Sequence, residues 1–91
     1  MKYMQVRWIH DFPDDPVLIY TEIDSDLWEY RKVEIFLDGH KGFADKKEEA
    51  GGSILGLEPW PSLSKLASEP EFKIQEISQQ EFEDIWSKRK E

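Results

Sequence analysis

Ninety-one residues make one small domain, spanning 1–91, and 38% hydrophobic with 13% aromatic side chains exclude a disordered chain. The absence of Cys excludes a disulfide framework, a thiol nucleophile and thiolate metal chemistry. The net charge is -8, and residues 8–30 hold seven acids and no Lys or Arg, which excludes the counterion-releasing contacts that nucleic acids and anionic bilayers require.

The first half of the chain reads as strands. Met4, Val6 and Trp8 alternate with Gln5 and Arg7 in Lys2–His10, the pattern of a half-buried strand. Asp11-Phe12-Pro13-Asp14-Asp15-Pro16 ends it as a turn rich in Asp and Pro. Val17–Ile23 alternates again, and Asp24-Ser25-Asp26 is a short connection into Leu27–Leu37, the longest strand expected. Asp38-Gly39 signals a two-residue hairpin turn, with His40–Ala44 as the returning strand. These segments make a four-stranded antiparallel meander.

Residues 45–53 read as a charged loop ending in glycines, and Ile54, Leu55 and Leu57 as a short fifth strand or an anchored loop. Glu58-Pro59-Trp60-Pro61 cannot continue a helix or a central strand, because two prolines lack the N–H groups. Ser62–Ser68 reads as a short helix capped by Ser62, and Phe72 with Ile74 marks another strand in Glu71–Ile77. Ser78 and Glu81 form a capping box, with Ile77 and Phe82 at staple positions. Phe82, Ile85 and Trp86 then stripe one face of a C-terminal amphipathic helix. The expected fold is α+β: a four- to five-stranded antiparallel meander sheet with this helix packed on one face.

The sequence holds few parts for catalysis. His10 with Asp11 and the nearby Asp14 and Asp15 fits a general base or a hard-cation site in residue type. The spacing lacks the alternating ligands of a calcium loop, and aspartates capping their own turn are the simpler reading. His40 follows a turn, where a polar residue is expected. The glycines match no phosphate-cradling pattern, and no Ser sits in a nucleophile elbow. No catalytic residue, cofactor or metal is expected.

The aromatic residues are more informative. In Leu27–Leu37, one face carries Leu27, Val33, Ile35 and Leu37, and the other carries Trp28, Tyr30 and Phe36 with Lys32 and Glu34 between them. The second face is either closed by residues 54–68, with Trp60, Leu63 and Leu66 forming a small second core, or left open as a binding patch beside the acids.

Three stretches carry a family resemblance: Trp8-Ile9-His10-Asp11 before an acidic, proline-bearing turn, Glu29-Tyr30-Arg31-Lys32-Val33-Glu34-Ile35-Phe36-Leu37-Asp38-Gly39, and Ile77-Ser78-Gln79-Gln80-Glu81-Phe82 with Trp86 four residues on. In these the chain resembles a family of short acidic bacterial proteins known as a domain of unknown function. The resemblance implies one bacterial α+β domain and brings no catalytic residues with it. Small, acidic, Cys-free domains of this type look like the immunity or antitoxin partners of toxins.

The functional expectation is a non-enzymatic, cytoplasmic protein-binding domain, of the immunity or antitoxin type, that occludes a basic toxin. Asp11, Asp14, Asp15, Asp24 and Asp26 would steer a basic partner, and Trp28 and Tyr30 would anchor it. The alternative is a small structural or assembly subunit that forms a homodimer through a strand edge or the aromatic face.

Overall fold

The computed structural model describes residues 1–91. Six strands form one antiparallel sheet: β1 (Lys2–Trp8), β2 (Pro16–Ile23), β3 (Glu29–Phe36), β4 (Lys41–Ala44), β5 (Glu49–Ala50) and β6 (Phe72–Ile77). Their order across the sheet is β5-β4-β3-β2-β1-β6. β1 to β5 are a meander, and the chain then returns across the sheet so that β6 pairs with β1. The sheet therefore has one strand more than the four or five expected. β6 is the strand anticipated at Glu71–Ile77, whereas β5 lies in the charged segment read as a loop. Ile54, Leu55 and Leu57 form an anchored loop and no strand.

The β3–β4 connection is a three-residue loop rather than a two-residue turn. The Phe36 N–H donates to His40 O (3.0 Å) and the Gly39 N–H to Phe36 O (2.9 Å), which leaves Leu37, Asp38 and Gly39 in the loop. Gly39 has φ +90°, a conformation that a side chain would strain.

Two helices flank the sheet, α1 (Leu63–Ala67) and α2 (Gln79–Ser87). Ser62 Oγ accepts the Lys65 N–H at the start of α1. The Ser78–Glu81 capping box forms in full at α2, a cap whose loss costs about 1 kcal/mol. α2 lies on the face that presents Tyr3, Tyr20, Val33, Phe43 and Ile77. Phe82 is its fully buried anchor, while Trp86 is half-buried over it, with ring centroids 6.2 Å apart.

The second face is closed by residues 53–68. Leu27, Trp60 and Leu63 pack on a core of Met4, Val6, Ile19 and Ile23. Of the two alternatives for this face, the small second core is the one formed. The alternation expected along β3 fails at a bulge: Arg31 pairs with Glu22, but Glu29 pairs with Ile23. Glu29 is thereby turned under the 53–58 loop and Tyr30 is left at the rim. Its carboxylate accepts from Thr21 Oγ1 (3.0 Å), the Gly56 N–H (2.7 Å) and Lys32 Nζ (2.9 Å), so the buried charge is fully partnered. A Cβ on Gly42 would fall 2.1 Å from Ser53 Oγ, so only Gly lets this loop lie so close on β4. No helix is long and apolar enough to cross a membrane.

Candidate functional site

The β1–β2 loop (9–15) and the β2–β3 loop (24–28) lie at opposite ends of β2, an eight-residue strand about 25 Å long. Asp11, Asp14 and Asp15 therefore sit at one end of the sheet. Asp24, Asp26, Trp28 and Tyr30 sit at the other. The seven side chains nominated from the sequence form two separate groups and no common surface.

In the second group Asp24 is occupied by its own loop. Its Oδ1 accepts the N–H groups of Asp26 (2.9 Å) and Trp28 (3.0 Å). A hydrogen bond to Asp24, with the charge of that carboxylate behind it, holds the Tyr30 phenol above its ordinary range. Lys46 Nζ lies 5.3 Å from the Tyr30 ring centroid. Trp28 (44% exposed) and Tyr30 (37% exposed) are rim residues, not a continuous aromatic face.

The first group is built differently. The Phe12 N–H donates to His10 Nδ1 (2.9 Å), which fixes that nitrogen as the acceptor and leaves Nε2–H to donate to Pro16 O (2.8 Å). The His10 ring lies 4.2 Å from Trp8 and 5.4 Å from Phe12, centroid to centroid, and Trp8 stacks on Phe72 at 6.0 Å. This latch folds the loop so that Phe12 projects outward, 59% exposed, with Ile9 at 53%.

The β3–β4 loop emerges at the same end and presents Leu37, 73% exposed. Leu37 was expected on a core face, but it lies beyond the last paired residue of β3, where no facing element covers it. Asp38 accepts the His40 N–H (3.0 Å), and the backbone and ring of His40 hold its carboxyl below the usual range. The carboxylates of Asp11, Asp14 and Asp15 accept no hydrogen bond within the chain, contrary to the expectation that they cap their own turn; the turn is closed by the backbone, Asp15 N–H to Phe12 O (3.4 Å). The capping role falls to Asp24, Asp38 and Asp45. The α1–β6 turn, Glu69-Pro70-Glu71, closes this end, tied in by the Ile9 N–H to Glu71 O (2.7 Å). None of the three connections contains Lys or Arg.

The tip thus combines free carboxylates with exposed apolar side chains on a fixed backbone. Such a surface suits recognition of a cationic, partly apolar partner. Both His10 nitrogens are used by the loop. His40 stacks on Phe36 at 4.2 Å and its Nδ1 lies 2.6 Å from Asp38 Oδ1. No three of the His, Asp and Glu side chains are grouped as a metal site. Phe12, Leu37 and Ile9 were missed from the sequence. The available signal was an aromatic residue inside a Pro/Asp turn, where no strand or helix period asks for one.

No curated protein and no solved structure matches the chain. One family model does, described as Domain of unknown function (DUF6881), over residues 2–91. The match spans nearly the whole chain, all six strands and both helices, and the protein belongs to that family.

Proposed function

We propose that the protein is a non-enzymatic protein-binding domain, an inhibitor of the immunity or antitoxin type, whose loop tip covers a basic site on a partner such as a bacterial toxin. The observation that carries this reading is the tip itself: Ile9, Phe12 and Leu37 stand exposed beside Asp11, Asp14 and Asp15, whose carboxylates serve no internal bond. Carboxylates left unpaired within the fold steer a cationic surface, and the apolar side chains supply area to be desolvated once it docks. Asp24 drops out of this role because it caps its own loop, and Asp26, Trp28 and Tyr30 lie at the far end of the sheet.

The test is affinity capture from the native host with the tagged wild type, with Phe12→Ala, and with Asp11, Asp14 and Asp15 all changed to Asn. A basic protein held by the wild type, shed at high salt and lost with either variant is expected. A captured protein that binds all three baits equally would remove the tip from consideration.

A further inference from the structure

β6 is an edge strand of six residues with no Pro, Gly or bulge, whereas the opposite edge, β5, is two residues long. The Ile9 N–H bonds Glu71 O (2.7 Å), and antiparallel pairs alternate between bonded and unbonded. Lys73, Gln75 and Ile77 therefore turn their N–H and C=O groups toward β1, while Ile74 and Glu76 turn theirs outward. No side chain or loop bonds these outward groups. The Phe72 N–H is taken by Glu69 O (3.2 Å), which closes the strand's first turn.

We propose that this edge pairs with β6 of a second copy of the chain, extending the sheet across a two-fold axis. Only one antiparallel register uses both backbone groups of Ile74 and of Glu76 on both sides: it places Gln75 opposite Gln75 of the second copy, so that Ile74 and Glu76 exchange both of their backbone bonds. In that register Lys73 faces Ile77, Ile74 faces Glu76, and no like charges stand opposed. The margin is also electrically balanced. Within β6 itself Lys73 offsets Glu76, while the whole chain carries -8, so the strand is a place where two copies approach without opposing the acidic surfaces. The pairing is isologous and closes on itself, as a two-fold dimer must. It leaves both loop tips free, pointing in opposite directions, and does not depend on what the tips bind.

Sedimentation velocity over a micromolar to millimolar series, read with amide hydrogen exchange by NMR, tests this. The wild type is expected to reach dimer mass as the Ile74 and Glu76 amides gain protection together. Gln75→Lys sets two ammonium groups against each other across the axis and is expected to weaken the dimer by about fivefold or more. Glu76→Pro removes an outward N–H and should abolish the dimer without changing the circular dichroism. If Glu76→Pro does not fold, Gln75→Lys decides alone, since that side chain is exposed. A wild type that stays monomeric at the highest concentration overturns the proposal. So does a dimer whose Ile74 and Glu76 amides exchange freely, or one that survives Gln75→Lys unchanged.

Discussion

Leu27 is held at φ +69°, in the left-handed region where a side chain crowds its own carbonyl. Its N–H donates to Asp24 O (3.0 Å), its C=O accepts the Trp60 N–H (2.9 Å), and its side chain packs on the Met4, Val6, Ile19 and Ile23 core. The loop from β2 to β3 and the segment covering the second face are joined through this one residue. Truncation separates the two contributions. Leu27→Ala loses the packing and keeps the strain, whereas Leu27→Gly loses the packing and relieves it. Leu27→Gly should therefore be the less destabilising by about 0.5–1 kcal/mol in urea unfolding, the reverse of the usual order of Ala and Gly. Equal or ordinary ranking would mean that the backbone strain is absent. None of this is legible from Asp24-Ser25-Asp26-Leu27 as letters. The turn can be read from the Asp and Ser, but which aspartate caps it, and that a leucine takes positive φ, follow from Trp60 arriving from 33 residues away.

Among the elements, α2 was the most legible, because its cap, staple and apolar stripe are all local. What fixes it to the sheet is not local. Arg31 donates from Nε and Nη2 to Glu22 (both 2.7 Å) and from Nη1 and Nη2 to Glu83 on α2 (2.9 and 2.8 Å), with its guanidinium 4.9 Å from the Phe82 centroid. Tyr3 donates its hydroxyl to the same Glu22 (2.9 Å). Arg31 stands opposite Glu22 in the regular register of β2 and β3, on the face of Val33, which period 2 can place; that Glu83 arrives there from 52 residues away it cannot.

The Arg31 hydrogen bonds hold the carboxyls of Glu22 and Glu83 below the usual glutamate range, against the burial that opposes them. A carboxyl whose pKa is depressed by folding adds stability above its unfolded pKa and loses it as the pH falls through the folded one. The unfolding free energy should thus decline on acidification through and below the ordinary glutamate range, with α2 loosening as Glu22 and Glu83 protonate. Glu83→Gln should lower stability near neutral pH and flatten that decline, as measured by urea unfolding across a pH series with Trp86 fluorescence as the readout. A Glu83→Gln profile parallel to the wild type at every pH would show that Arg31 does not dock the helix.

For the whole molecule, the distribution of charge separates bonded carboxylates from free ones. Glu22, Glu29 and Glu83 are paired inside the fold, and Asp24, Asp38 and Asp45 cap loops. Asp11, Asp14 and Asp15 do neither, yet they share one short loop in a chain of net charge -8. The acid run was visible in the sequence. Its division into fixed and free carboxylates was not, because the strands fold the two halves of the run to opposite ends of the sheet. Carboxylates that repel one another and bond nothing are a liability to the folded state, screened by salt. Changing Asp11, Asp14 and Asp15 together to Asn should therefore raise Tm by about 2 °C at low salt, with the gain shrinking as salt is added. The same variant should bind the proposed basic partner more slowly and with a flatter salt dependence. A structural role predicts the opposite sign for Tm. The combination of a more stable fold with slower association is what a surface retained for binding produces, and scanning calorimetry beside stopped-flow association kinetics reads both halves on one protein.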